Sequence, residues 1–279
     1  MEITILTGIV IALCGVGVGI LSAMFGIGGG MVMVPLIHIV FGQPAAISSG
    51  TSLFAILPTS IAGMVARLHD GTIRFRIGLV VGIAGACLSP LGALAASNLP
   101  GMYAMILTGV FILFTAYKMF KRVYKSRPAA VAAAQAAAAS GVSASAPKKT
   151  LLSEDGSPRF YVGCVILGCV VGFLSGWLGL GGGFLIVPIL QGVFGLTMKQ
   201  SSGTSLVSVG ILAVPSFITH ALLGNVDWLL GLLLIVGSII GAKLGAKILS
   251  HVNDRLLTGL FGVVLILSGV IMVVREIVG

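Results

Sequence analysis

"GIGGGMVMVPL" at residues 26–36 and a second version of it, "GLGGGFLIVPI" at 179–189, decide how this chain is built. Each puts four glycines into five positions and then resumes an apolar run that contains a proline. Glycine reaches dihedrals closed to other residues, so such a cluster makes a helix break inexpensive. In a buried apolar segment a break needs a reason.

The solvent around these segments follows from composition. The chain has 279 residues, of which 57% are hydrophobic and 8% charged, and its mean hydropathy is +1.17. A soluble domain cannot cover that much apolar surface, so this is a membrane protein. Apolar runs long enough for a core of roughly 30 Å recur at 3–25, 45–66, 77–97, 101–117, 160–178, 200–223, 228–250 and 256–274. Glu2, and no basic stretch, precedes the first run, which reads as a retained span rather than a leader. The net charge of +9 sits mostly between spans, as in "KMFKRVYKSRP" at 118–128. That is the positive-inside excess of a membrane protein, not a nucleic-acid footprint. Cys14, Cys87, Cys164 and Cys169 fall within the apolar runs and read as small buried hydrophobes. Their spacing suggests neither a metal site nor a disulfide framework, and no cofactor motif is present.

The chain is a repeat. Shifted by 153 residues, Gly19–Leu53 lies on Gly172–Leu206 without a gap and shares 18 of 35 positions, "SSGTSL" at 48–53 recurring intact at 201–206. We divide it into a first transmembrane repeat at 1–120, an Ala/Ser-rich linker at 121–158 that nothing requires to pack, and a second repeat at 159–279. If each glycine segment opens a broken crossing, each half crosses five times and the second half is upside down. If each only dips in and returns, the halves cross four times and are parallel. Loop charges favour the first: Arg67, Arg74 and Arg76, the linker, and Lys243, Lys247 and Arg255 then share one side, with both termini on the other. The expected fold is thus all-α, about ten transmembrane segments in two inverted five-segment halves, with a cytoplasmic linker.

After the glycines, Met31–Phe41 and Phe184–Phe194 are long enough for only about 16 Å of helix, half a membrane. Each would begin near mid-membrane with unpaired N–H groups and a positive dipole end, an anion site. Gly28, Gly29 and Gly30 with Gly181, Gly182 and Gly183 are therefore candidate substrate-binding residues. Pro35 and Pro188 come at about the fifth helical position, where a missing N–H matters little. Close helix packing is the rival role for glycine, and it suits the spaced sets Gly168, Gly172, Gly176; Gly78, Gly82; and Gly237, Gly241, Gly245 better than the clustered ones. A phosphate loop is excluded, since no Lys-Ser/Thr follows.

Ser48, Ser49, Thr51 and Ser52, and again Ser201, Ser202, Thr204 and Ser205, gather hydroxyls at the start of the next span. One such hydroxyl ordinarily back-bonds to its own helix. Four in each copy suggest the lining of a polar cavity, able to donate to an anion or, with freed carbonyls, to hold sodium. The seven acids lie in or near loops and termini, so no carboxylate relay is available at mid-membrane. His38 is the titratable group inside a half-helix, with Gln191 as its counterpart; proton coupling, anion contact or a structural hydrogen bond all fit it. Arg67 aligns with His220, both near span ends, and Lys247 reads as a surface anchor.

The doubled "GFLSGWLGLGGGFLIVPIL" and "SSGTSL" pattern, over both halves of a chain this long, resembles the TauE/SafE family of sulfite and organosulfonate exporters. The resemblance implies a multi-pass protein of the bacterial inner membrane that moves small sulfur-containing anions such as sulfite or sulfoacetate. It makes the glycine breaks and Ser/Thr clusters the expected binding elements. The expectation is a secondary transporter, an exporter, working by alternating access with a proton or sodium as candidate coupling ion. An anion channel and a non-transporting scaffold are the alternatives; an enzyme is not expected, because no nucleophile, base and orienting group occur together.

Overall fold

Backbone groups in hydrocarbon must find their partners within the segment, so long apolar runs become helices. A computed structural model describes residues 5–98, 106, 109–110, 112–117 and 158–278, and among them every regular element is helical. In chain order these are α1 (Ile5–Phe25), α2 (Gly30–Pro35, continued by a π-turn over Leu36–Val40), α3 (Ala45–Ala66) and α4 (Phe75–Asn98). The second half supplies α5 (Pro158–Leu178), α6 (Gly183–Gly192), α7 (Met198–Leu222), α8 (Trp228–Ser250) and α9 (Asp254–Val278). Residues 112–117 are helical too, at the place where the repeat puts the counterpart of α9. The linker expected at 121–158 lies outside the described residues except for Pro158.

Seven described helices are long and apolar enough to cross a membrane alone, and Gly30–Val40 and Gly183–Gly192 are shorter apolar helices. The interrupted elements fall where the glycines are. Caps set other boundaries: Thr197 and Gln200 form a reciprocal capping box on α7, and the Asp227 carboxylate accepts from the Leu230 N–H to open α8.

The molecule is apolar outside. Leu6, Leu13, Ile61, Ile83, Ile166, Val236 and Leu267 are exposed, whereas Ser49, Ser52, Thr59, Ser202, Ser205, Ser208 and Ser238 are buried. Lipid meets hydrocarbon on the surface, and hydroxyls and small residues fill the interhelical space. Two seams carry the closest helix contacts. Gly168, Gly172 and Gly176 of α5 lie against the carbonyls of Val81, Gly85 and Ser89 of α4; Gly237, Gly241 and Gly245 of α8 lie against those of Ala12, Val16 and Ile20 of α1. Both seams ascend together, so α4 runs parallel to α5 and α1 parallel to α8. The spaced glycines thus pack helices, as their spacing predicts.

Between the seams α3 and α7, the repeat-equivalent third helices, face each other. Gly50 meets His220, Ser60 meets Gly210, Leu206 meets Gly63 and Arg67 meets Gly203, a descending order that makes the pair antiparallel. Arg74 lies beside Thr204 and Thr59 beside Ser238, so α4 follows α7 and α3 follows α8 in direction. Arg67, Arg74, Arg76, Arg159, Lys199, Lys243, Lys247 and Arg255 consequently share the end where α3 and α8 finish and α4, α5, α7 and α9 begin. Arg275, close to the finish of α9, is at the other end.

Candidate functional site

The glycine segments break the chain by positive φ. Gly26, Gly28 and Gly29 have φ of 72°, 75° and 92°, and Gly179, Gly181 and Gly182 repeat this at 69°, 69° and 72°. A side chain in this left-handed region costs roughly 1–2 kcal/mol, and glycine avoids it. Gly29 and Gly182 are the N-caps of α2 and α6, with no side-chain cap. Their carbonyls receive the first helical bonds, from Val32 and Met33 N–H and from Leu185 and Ile186 N–H. Gly30 and Met31, and Gly183 and Phe184, therefore begin each helix with N–H groups outside its ladder. Pro35 and Pro188 come at the sixth helical position rather than the fifth, so each removes one bond just past the first turn.

The two breaks touch. The Cα of Gly30 packs against the Leu180 backbone and that of Gly183 against Gly26 and Ile27, while Gly28 and Gly181 both lie against Ile56 and Val209, in the middles of α3 and α7. The half-helix starts thus meet at the centre of the molecule, and Ile27, Leu180, Ile56 and Val209 pack around them.

The hydroxyl clusters tie each half to the break in the other. Ser52 donates to the Gly179 carbonyl at 2.5 Å and Ser49 to that of Leu178 at 3.3 Å; Ser205 returns the first bond, to the Gly26 carbonyl at 2.7 Å. Thr51 accepts the Asp227 N–H and, in register, Thr204 accepts the Arg74 N–H. Ser48 donates to the Gln43 and Pro44 carbonyls. Ser202 donates to Lys199 and accepts from Arg67, while the buried Ser201 hydroxyl has no partner among the described residues. Three of these eight hydroxyls, those of Ser49, Ser52 and Ser205, satisfy carbonyls where the helices break.

His38 and Gln191 stand apart from the breaks. His38 Nδ1 is 2.8 Å from the Gln43 carbonyl and holds the turn after the π segment; the Gln191 amide donates to the Met198 sulfur. Gln43 in turn donates to Asp227, so this turn is tied to α8. A cleft of about 600 Å³ between α3, α4 and α7, lined by Ser60, Met64, Leu79, Leu206 and Val214, opens on the apolar face and includes no residue of either break.

Arg67 reads from sequence as a span-end residue, and the structure gives it a larger part. It is fully buried, and its guanidinium donates to the Ser202 hydroxyl at 2.9 Å and to the Lys199 and Ala23 carbonyls. Burial lowers its pKa from the ordinary arginine value to about 10, Asp70 opposing the shift, so it is charged at neutral pH. A buried cation held only by neutral acceptors is unusual, and its alignment with His220 in the repeat was the available signal.

A family model described as sulfite exporter TauE/SafE matches residues 11–272. A probable membrane transporter protein, YunE of Bacillus subtilis, is 26% identical over 273 residues, covering 94% of this chain and 95% of its own length. A second from the same organism, YdhB, is 29% identical over 82% of this chain and 85% of itself. A probable membrane transporter protein of Methanocaldococcus jannaschii is 25% identical over 91% of each. No solved structure matches significantly.

Proposed function

The chain belongs to the sulfite exporter TauE/SafE family, a family of membrane transporters and not of enzymes, and from that premise we propose that it is a secondary transporter of a small sulfur-containing oxyanion. Sulfite, sulfoacetate and other sulfonates are the substrate class. The observation that carries this reading is the meeting of two glycine breaks, one from each half, each opening a half-length helix at the centre of the molecule. Their N–H groups, at Gly28–Gly30 and Gly181–Gly183, point the positive ends of two helix dipoles into one region. An oxyanion is the ligand such a region favours.

The antiparallel α3 and α7 support inverted halves, and the direction reversals through each break support five crossings per half. The basic end is then cytoplasmic by the positive-inside rule, as is the linker, and the termini face outward across the inner membrane. In alternating access, one half rocks against the other about the α3/α7 pair. The bonds Ser52 to Gly179 and Ser205 to Gly26 are the contacts such a motion would exchange for contacts with the anion, bringing the 48–52 and 201–205 hydroxyls to the substrate. Export is the direction we assign, with a proton or sodium as coupling ion.

Counterflow in proteoliposomes tests the reading. Labelled sulfite or sulfoacetate should exchange saturably against unlabelled substrate inside, and carboxylate controls should not compete. Unsaturable flux would make the protein a channel. Absence of both flux and thermal stabilisation by any sulfur oxyanion, across pH and with or without sodium, would defeat the anion site itself.

A further inference from the structure

Eight buried side-chain polar atoms lack a partner among the described residues, and four of them fall into two repeat-equivalent pairs: Ser22 Oγ with Ser175 Oγ, and Arg67 Nε with His220 Nδ1. All four residues are at most 1% exposed. An unsatisfied buried polar group costs roughly 1–3 kcal/mol. Meeting that cost twice in the same register marks a built feature rather than a packing fault.

The pairs assemble into two matching nodes. At one, Arg67 donates to the carbonyl of Ala23, which follows Ser22 in α1, and packs on Gly203 of the second "SSGTS". At the other, His220 Nε2 donates to the carbonyl of Gly176, which follows Ser175 in α5, and packs on Gly50 of the first "SSGTS". Nε2 carries the proton in that bond, so Nδ1 is the free position. Because α3 and α7 are antiparallel, the nodes lie at opposite ends; Gly50 to Arg67 spans 17 residues of α3, roughly 26 Å. They differ in one respect. A guanidinium whose pKa is about 10 is always charged in the physiological range, whereas an imidazole is a cation only with a second proton.

We propose that these nodes are the two outer subsites of the oxyanion path, and that the His220 subsite takes the anion together with one proton, which adds to Nδ1 from water at that face. The Arg67 subsite holds the anion without a proton. The inference rests on the oxyanion reading above and adds to it the coupling ion and the residue that carries it. Few titratable groups lie on the helices packed around His220. Of the described helices around His220, α3 and α6 contain no titratable side chain, and α1 contains only Cys14. Arg74 just before α4, Arg76 and Cys87 of α4, and Arg159, Tyr161, Cys164 and Cys169 of α5 lie before the stretches that reach His220's end, and Lys199 is at the far end of α7. At His220's end of the molecule lie Asp227, which opens α8 and is bonded to Gln43 and Leu230, His38, which is bonded to the Gln43 carbonyl, and Arg275 and Glu276 near the finish of α9.

The experiment measures thermal stabilisation of the purified protein by sulfate and by methanesulfonate, whose own charge is constant from about pH 5 to about pH 8, the range of histidine titration. The wild type should bind severalfold more tightly at the acid end. His220→Arg, the residue the other node already carries, should bind equally across the range, and His220→Gln should keep only the weaker, pH-independent binding due to Arg67. Arg67→Gln should bind at acid pH alone. Binding that is pH-independent in the wild type, or a pH dependence that survives in both His220 variants, would overturn this inference and leave the transporter reading intact. No binding by the wild type at any pH would remove that reading first. A His220 that only props the fold would shift the melting temperature without altering the pH profile of binding.

Discussion

The seams and the breaks use glycine for opposite reasons. In the seams Gly172 and Gly241 have ordinary helical backbones and are needed because another helix's carbonyl occupies the place of a side chain. In the breaks Gly28, Gly29, Gly181 and Gly182 have positive φ, and the requirement is conformational before it is spatial. Loss of a seam glycine separates two parallel helices along their length, whereas loss of a break glycine deforms one turn. The seams hold the halves together; the breaks open the short helices that meet at the centre of the molecule.

The largest effect should come from the seams. Gly172→Leu and Gly241→Leu drive a side chain into the backbone of Gly85 and of Val16, with nothing flexible to yield. Each should lose more than about 4 kcal/mol, enough to prevent recovery of a monodisperse protein in detergent. A normal size-exclusion profile for either would mean the seams are softer than drawn. Next come the breaks. Gly29→Ala should cost roughly 1–2 kcal/mol from φ, with a small addition for the Val18 methyl, which at 3.1 Å from the added Cβ must shift by a few tenths of an ångström. Gly182→Ala should cost more, because there the Cβ collides with the Val171 methyl. Thermal unfolding of the pair reads the difference, and equal losses would show that the backbone angle decides both.

The cross-half hydroxyls come third. Ser52→Ala and Ser205→Ala each orphan a carbonyl at a break, and each should lose about 1–3 kcal/mol while leaving the oligomeric profile unchanged. Because the two bonds are repeat-equivalent, the losses should agree within about 0.5 kcal/mol, and because the breaks pack on each other the double variant reads the coupling between them. A large coupling between them would mean that the two breaks move as one body.

The architecture was legible because lipid makes it so. Apolar runs had to be helices, the 153-residue shift exposed the two halves, and clustered as against spaced glycines separated breaks from seams. The duty of the serines was less legible. Ser52 and Ser205 are read from sequence as cavity-lining donors, yet their acceptors, Gly179 and Gly26, lie in the other half, and only the crossing of α3 with α7 brings them together. Arg67 was hidden for a related reason. At the end of a span an arginine ordinarily reaches to the surface, and its burial depends on Ala23, Lys199 and Ser202, which come from two other helices.

His38 gives the smallest expected effect and the clearest separation of end-of-helix chemistry from the breaks. Its Nδ1 bonds the Gln43 carbonyl five residues on, and the repeat puts Gln191 at the same position with a different partner, Met198. A glutamine can donate to that carbonyl as imidazole does. His38→Gln should therefore cost under about 1 kcal/mol and leave the pH dependence of anion binding where it was. Titration of the variant against sulfate across about pH 5 to pH 8 checks this. If the pH dependence instead disappeared, the proton would be carried on the half-helix that follows the first break, and the two ends of the molecule would differ through His38 and Gln191 rather than through His220 and Arg67.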